Sequence, residues 1–194
     1  QVGKDLIGHE YPISVMKKIS GRSDIDVCRI SVEEFKLSMT VDEFSDKRQK
    51  LLSERLPNSE LIPGAAQIVQ RMKEMGIPIA LATSGNRIGQ ILKAKNHQDL
   101  YSNFDVIICG DEVKEAKPSP EIFLTAAQKL GNISPENIIV IDDALNGIIA
   151  ANKANMISIL LSKNKYEFED PLSKPCIQIG SLYDFEFELF DFQK

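Results

Sequence analysis

The sequence predicts an α/β fold, in which a parallel sheet is covered by helices and preceded by a small helical unit. Two patterns carry this prediction. From about residue 61 onward, short apolar runs alternate with amphipathic helices, which is typical of a parallel sheet. Before Pro57 the apolar spacing is helical, and no segment between residues 14 and 56 has the pattern of a strand. We therefore divide the chain into a helical unit, residues 1–57, and an α/β domain, residues 58–194.

Charge and composition exclude several classes of protein. The chain of 194 residues carries 23 basic and 28 acidic side chains, so its net charge of −5 argues against a partner that is a nucleic acid or an anionic membrane. It contains no apolar run near the roughly 20 residues of a membrane span. The three cysteines, Cys28, Cys109 and Cys176, are far apart and odd in number, which favours a reducing, cytoplasmic setting over a disulfide framework.

The helical unit contains two candidate capping boxes. Ser31 is followed three residues later by Glu34, and Thr40 is followed by Glu43, so each pair predicts the start of a helix. After Thr40, apolar residues share one helical face up to the break at Pro57. These are Val41, Phe44, Leu51, Leu52 and Leu56.

In the α/β domain, nearly continuous apolar runs predict buried parallel strands. The runs span residues 77–83, 106–109, 138–141, 157–161 and 177–179. Amphipathic segments predict the intervening helices at residues 63–75, 86–96, 120–130 and 144–154. Gly76 is in the position of a left-handed helix end. The alternating acidic and apolar tail, residues 184–190, is expected to pack on the domain.

Chemistry-bearing residues follow three consecutive predicted strands. Thr83 and Ser84 end the first strand, Lys117 lies in the loop after the second, and Asp142 and Asp143 follow the third. Taken alone, each of these features also has an ordinary structural explanation. Thr83 and Ser84 could cap the next helix, Lys117 could belong to a surface Lys-Pro, and the two aspartates could lie in a solvated turn. Ligands of open α/β sheets bind beyond the carboxyl ends of the strands, where these residues would meet. Hydroxyls, a cation and paired carboxylates suit phosphoryl chemistry with a magnesium ion.

Three segments carry a resemblance to a known family. They are residues 81–84 (Leu-Ala-Thr-Ser), 117–123 (Lys-Pro-Ser-Pro-Glu-Ile-Phe) and 141–151 (Ile-Asp-Asp-Ala-Leu-Asn-Gly-Ile-Ile-Ala-Ala). In this order they resemble the second, third and fourth motifs of the haloacid dehalogenase-like hydrolases. Residues 61–65, 110–113, 181–185 and 188–190 resemble most the eukaryotic pseudouridine-5′-phosphatase-like members. The resemblance implies a Rossmann-like core, with the helical unit as a cap inserted after the first strand.

The family's first motif, Asp-x-Asp at the end of the first strand, has no counterpart in the chain. Residues 24–26 have these letters, but Ser-Gly-Arg-Ser precedes them, which predicts a cap loop. Two explanations stay open: residues precede Gln1 in the intact protein, or the chain is a catalytically dead relative. Loss of the central strand would leave a ~10 Å slot with unpaired backbone groups, which favours the first. We therefore expect the strands ending at Thr83 and Asp143 not to pair, and the 194-residue chain alone to be inactive.

The resemblance implies roles for five residues. Thr83, with the backbone N–H of Ser84, would bind a phosphoryl oxygen. Lys117 would neutralise charge that develops in the transition state. Asp143 would ligate Mg²⁺, which shields the phosphate from the attacking carboxylate. Asp142 stands where many relatives carry glutamate, which has a longer side chain, and because adjacent strand residues face opposite ways one of the two aspartates could act only through water.

The resulting hypothesis is a Mg²⁺-dependent phosphatase that acts on a small phosphorylated metabolite. His9, in the cap segment, is a weak candidate for a substrate contact, and an exposed loop position is an equal alternative. A phosphomutase and a catalytically dead binding protein remain the alternatives. A receiver domain is disfavoured because its acidic pair comes first in the chain. We expect no nucleic-acid or membrane partner, and a monomer or weak dimer.

Overall fold

A computed structural model describes residues 2–19 and 22–192. The helical unit contains four helices, α1 (Val2–Ile7), α2 (Ile13–Ile19), α3 (Asp24–Glu34) and α4 (Val41–Arg55). The α/β domain contains helices α5 (Ala65–Glu74), α6 (Arg87–Ala94), α7 (Gln98–Tyr101), α8 (Glu121–Lys129) and α9 (Leu145–Lys153). Its strands are β1 (Ala80–Thr83), β2 (Val106–Cys109), β3 (Ile139–Asp142), β4 (Ile157–Leu161) and β5 (Ile177–Ile179). Among the described residues, no helix has the length and apolar content needed to cross a bilayer.

All strand pairs that the structure describes are parallel. β1 pairs with β2, and separately β3 pairs with β4 and β4 with β5. The prediction that the strands ending at Thr83 and Asp143 do not pair is confirmed for the described residues. β2, β4 and β5 have the predicted bounds. β1 begins at Ala80 rather than Ile77, and β3 runs from Ile139 to Asp142, one residue later than expected.

Helices cover both faces of the strands. On one face α8 and α9 pack on β1–β4, and the buried cluster there includes Ile108 of β2 and Val140 of β3, so it spans both sheets. On the other face Ile159 and Ile179 pack with helix α5 and with aromatic residues of the tail, including Phe185. The tail therefore packs on the domain, as its alternating pattern predicts.

Two predictions for the helical unit are wrong. Ser31 does not cap a helix, because α3 begins seven residues earlier with Ser23 as its cap. Ser31 is instead fully buried within α3, and its hydroxyl donates to the carbonyl of Val27 at 2.6 Å, which is a common way for a serine inside a helix to satisfy its hydroxyl. Residues 24–26 form the first turn of α3 rather than a loop, where acidic side chains are favourable.

The second capping box is confirmed. The Thr40 hydroxyl accepts from the backbone N–H of Glu43 at 3.2 Å, and the Glu43 carboxylate accepts from the backbone N–H of Thr40 at 2.8 Å. The box fixes the start of α4, whose Phe44 is fully buried.

Candidate active site

The ammonium group of Lys117 joins the ends of two strands that do not pair. It donates to the carbonyl of Ala82 in β1 at 3.1 Å and to Oδ2 of Asp142 in β3 at 2.8 Å. Lys117 is 7% exposed, and its Nζ lies 4.5 Å from the ring centroid of Phe123. A cation so removed from water needs such partners to offset its desolvation. The Ala82 carbonyl belongs to the edge of β1 that faces away from β2, since alternate residues bond to that partner.

Asp142 is the last residue of β3, and its carboxylate is held from two sides. Oδ2 accepts from Lys117, and Oδ1 accepts from the backbone N–H of Ala144 at 2.9 Å. The carboxylate rests against the Cα of Gly147 in α9, where any Cβ would overlap it. Glycine at this position thus lets the first turn of α9 approach the end of β3. The nearby helix amino terminus further favours a negative charge there.

Asp143 differs from Asp142 in its surroundings. It is exposed, and within residues 2–19 and 22–192 it has no hydrogen-bond or ion-pair partner. Its carboxylate is therefore available to a ligand, while that of Asp142 is engaged by Lys117.

Thr83 ends β1 and begins a tight turn. Its hydroxyl oxygen accepts from the backbone N–H of Gly85 at 3.1 Å, and Ser84 is half-buried beside it. The backbone N–H of Gly110, which follows β2, donates to the carbonyl of Gly85 at 2.9 Å. A Cβ at Gly110 would overlap the Ser84 carbonyl, so the two loops can pack this closely only with glycine there.

An ion pair braces these same two loops. Arg87, the first residue of α6, donates to the Glu112 carboxylate at 2.7 Å and to the carbonyl of Ile107 at 2.7 Å. The Glu112 carboxylate also accepts from the backbone N–H of Cys109 at 2.8 Å. The hydrogen bond from Arg87, reinforced by that from Cys109, lowers the pKa of Glu112 below its ordinary value.

One side chain of the helical unit reaches the strand-end turn. Asp24, in the first turn of α3, accepts from Nδ2 of Asn86 at 2.9 Å and from Arg48 of α4 at 3.0 Å. Asn86 also caps α6, since its Oδ1 accepts from the backbone N–H of Gly89 at 2.7 Å. The helical unit is thus fastened three residues beyond Thr83.

His9 lies in the helical unit, between α1 and α2. Its imidazole is exposed, bonds through Nδ1 to the carbonyl of Glu10 at 2.9 Å and packs edge-on against Phe35, 5.3 Å between centroids. These contacts lie within the helical unit.

The other predicted site residues lie close together. Lys117 and Asp142 are in direct contact, and Thr83 is adjacent in β1 to Ala82, which Lys117 also contacts.

The sequence pattern assigned no individual role to Phe123 or Glu121. Glu121 accepts from two backbone N–H groups in the Lys117 loop, and Phe123 lies beneath the ammonium. Their positions four and six residues after the lysine were the available signal. The Asp24–Asn86 contact had no signal, since it joins residues 62 positions apart.

The residues fit a magnesium site that the protein leaves partly open to water and substrate. Mg²⁺ commonly takes one or two carboxylates and completes its octahedron with water and substrate phosphate. Asp143, exposed and unpartnered as described above, with Asp142 next to it, meets that requirement. No cluster of three or more His, Cys, Asp or Glu within the described ranges forms a closed metal site.

A cavity of about 290 Å³ in the α/β domain lies elsewhere. It is bounded by Lys73, Ile77, Asp105 and Lys129, at the amino ends of β1 and β2. Ligands of open α/β sheets bind at the opposite edge, so we place the site at Lys117 and the strand ends on chemical grounds.

Comparison with known proteins identifies the family of the chain. The family model of the haloacid dehalogenase-like hydrolases matches residues 30–155, a range that contains Thr83, Lys117, Asp142 and Asp143. Because the match covers more than half of the chain, the protein belongs to the haloacid dehalogenase-like hydrolases.

Individual relatives show the same relationship. The chain is 33% identical to (DL)-glycerol-3-phosphatase 2 of Arabidopsis thaliana, over 78% of its own length and 66% of that protein's. It is 30% identical to a probable pseudouridine-5′-phosphatase of Drosophila melanogaster, over 94% of its own length and 80% of that protein's. The structure of β-phosphoglucomutase from Clostridium difficile superposes with a TM-score of 0.76 at 26% identity, covering 97% of this chain and 85% of that one. The chain thus spans just under two thirds of the glycerol-3-phosphatase.

Proposed function

We propose that the protein is a Mg²⁺-dependent phosphatase of small phosphate monoesters, with residues 1–57 as its cap and residues 58–194 as its core. The observation that carries the proposal is the bridge of Lys117 between β1 and β3. The ammonium group of Lys117, which is largely removed from water, lies where the carboxyl ends of β1 and β3 approach each other. A preorganised charge in such a site stabilises developing negative charge without reorganisation of solvent.

Each strand end supplies one function in this proposal. The Thr83 hydroxyl, with the backbone N–H of Ser84, binds a phosphoryl oxygen. Lys117 neutralises charge on the phosphoryl group, and Asp142 holds its ammonium in place. Asp143, with Asp142, holds Mg²⁺, which when bound screens the phosphate charge from an attacking anion.

The attacking aspartate that the family resemblance implies is not supplied by residues 24–26. Both carboxylates of that segment lie in the first turn of α3 rather than at the end of a strand. Asp24 is engaged by Arg48 and Asn86, and Asp26 by Ser23 and Arg29. The roles above are therefore those of binding and charge stabilisation.

The substrate class follows from the relatives and from the cap. Glycerol-3-phosphatase and pseudouridine-5′-phosphatase relatives favour a small sugar or nucleotide phosphate, and we propose pseudouridine 5′-phosphate as the first to test. A phosphomutase is the alternative, since a β-phosphoglucomutase shares the fold. A mutase must also hold a second phosphate.

Substrate turnover followed by ³¹P NMR tests this proposal. The protein from the complete gene is incubated with Mg²⁺ and, separately, with pseudouridine 5′-phosphate, glycerol 3-phosphate and glucose 1-phosphate. We expect inorganic phosphate to appear from at least one of the first two. An isomerised sugar phosphate without free phosphate would establish the mutase, and no turnover of any of the three would support the catalytically dead relative.

A further inference from the structure

The loop that carries Lys117 is closed by a carboxylate from the helix that follows it. Glu121, the first residue of α8, accepts from the backbone N–H of Lys114 through Oε1 and from that of Glu115 through Oε2, each at 2.9 Å. One side chain thus ties the start of the loop to the start of α8, with Lys117 between them.

Helix α8 also contacts the side chain of Lys117 directly. The Phe123 ring, 6% exposed, lies in the core cluster of α8 and faces the ammonium at 4.5 Å. Within the loop, the backbone N–H of Ser119 donates to the carbonyl of Ala116 at 3.0 Å. Phe123 and Ser119 fix the end of the loop near α8. The beginning of the loop follows the turn Gly110–Glu112. There, the side chain of Glu121 accepts hydrogen bonds from the backbone of Lys114 and Glu115.

We infer that Glu121 is a positioning residue for Lys117, which it serves by holding the loop in the conformation that aims the ammonium at Ala82 and Asp142. The inference rests on the proposed function, since the aim of Lys117 matters for phosphoryl chemistry. Charge-assisted hydrogen bonds are stronger than neutral ones, and two of them from one carboxylate fix its orientation. The two backbone N–H groups also lower the pKa of Glu121 below its ordinary value, so the carboxylate stays ionised at neutral pH.

An ordinary structural role is the alternative. A glutamate in the first turn of a helix favours that helix through its dipole, whatever loop lies nearby. The two roles differ in what they do to Lys117. A positioning residue changes the access and catalytic effect of that one lysine, while a helix-stabilising residue changes only the stability of the fold.

The test uses the protein from the complete gene and three variants. Glu121→Ala removes both acceptors, and Glu121→Gln keeps one carbonyl oxygen. Glu115→Gln is the matched control, because it removes one negative charge from the loop that Glu121 closes. The Glu115 side chain is exposed and, among the residues that the structure describes, has no hydrogen-bond or ion-pair partner.

Three quantities are measured on each variant. The first is the steady-state kinetics. The second is the rate at which a small amine-reactive reagent modifies Lys117, monitored by mass spectrometry, and the third is the hydrogen exchange of the Lys114 and Glu115 amides. We expect Glu121→Ala to lower kcat on the order of tenfold, with KM changed by less than about twofold, because Lys117 acts mainly in the transition state. Lys117 modification and exchange of both amides should be faster. Glu121→Gln should be intermediate, and Glu115→Gln should match the wild type.

The outcomes separate this inference from the proposed function. If the wild type releases no phosphate, the proposed function fails, and the labelling and exchange rates still decide whether Glu121 positions Lys117. In an active protein, a Glu121→Ala variant with unchanged kcat overturns the inference. So does a variant whose Lys117 is modified no faster than in Glu115→Gln.

Discussion

Lys117 Nζ and Asp142 Oδ2 lie 2.8 Å apart, and this ion pair links the loop after β2 to the end of β3. Both side chains are largely buried, at 6% and 13% exposed. Because β1 and β3 do not pair, the pair and the Lys117–Ala82 hydrogen bond are polar links between the two sheets at their carboxyl ends. The ion pair therefore has a structural consequence besides the catalytic role that we propose for Lys117.

The first prediction concerns the loss of the cation. Lys117→Met should lower the rate of phosphate release on the order of 10²–10³, the scale for one preorganised electrostatic partner. It should also destabilise the fold, because it leaves the Asp142 carboxylate buried without its ion-pair partner. Adding Asp142→Asn should restore part of that stability, with a coupling of about 0.5–3 kcal/mol in a double-mutant cycle measured by urea unfolding. Additive effects would mean that the pair does not interact in solution.

The second prediction concerns Gly147. Gly147→Ala places a methyl group where the Asp142 carboxyl lies, so the carboxyl must move away from Lys117. We expect a loss of kcat together with a lower melting temperature. Gly180→Ala is the control, since its Cβ would meet its nearest atom, Asp184 Oδ2, at an ordinary 3.5 Å. Equal behaviour of the two variants would contradict the packing described for Asp142.

The third prediction concerns the contact between the helical unit and the core. A double-mutant cycle between Asp24→Ala and Asn86→Ala should give a coupling of about 0.5–1 kcal/mol in chemical unfolding, because their side chains share a hydrogen bond. The same cycle with Asp42→Ala in place of Asp24→Ala should give none, since Asp42 is an exposed acidic residue in the first turn of α4. Equal couplings in the two cycles would remove Asp24 from the contact.

The fourth prediction concerns acid stability. The pKa of Glu112 is lowered in the folded protein, chiefly by Arg87, so its ionised form stabilises the fold. That contribution is complete above the ordinary glutamate value of 4.5 and is lost as the pH falls through the lower folded value. In urea unfolding, the wild type should be more stable than Glu112→Gln near neutral pH by a constant margin, and the margin should shrink in acid. A margin independent of pH would show that the carboxylate charge does not contribute.

Much of the α/β domain could be predicted because buried parallel strands and the helices between them leave strong local patterns. The start of β1 lies later than expected: the backbone N–H of Ile79 donates to the Asp105 side chain, while its carbonyl accepts from the backbone N–H groups of Asp105 and Val106, so a side chain replaces part of the strand pairing before Ala80. The helical unit was less predictable. Ser31 and Glu34 have the spacing of a capping box, but both lie inside α3. The helix already begins at Asp24, and its cap is Ser23.

The candidate site divides in the same way. Thr83, Lys117 and the Asp142–Asp143 pair could be located because each follows an apolar run at a strand end. The residues that aim them could not. The clamp of Glu121 on the Lys117 loop depends on how that loop folds back, and the fastening of Asn86 by Asp24 depends on how two parts of the chain dock. The first leaves only the short spacing between Lys117 and Glu121, and the second leaves no signal, because its two residues are 62 positions apart.

The most direct test of the central claim is the Mg²⁺ dependence of phosphate release in wild type and Asp143→Asn. The protein from the complete gene is freed of metal with a chelator, and phosphate release from a small phosphate monoester is measured as Mg²⁺ is added back. We expect no turnover without Mg²⁺, full recovery in the wild type, and loss of most activity in Asp143→Asn at all Mg²⁺ concentrations, since an amide replaces a negative ligand. Turnover without metal, or an Asp143→Asn variant as active as the wild type, would contradict the account.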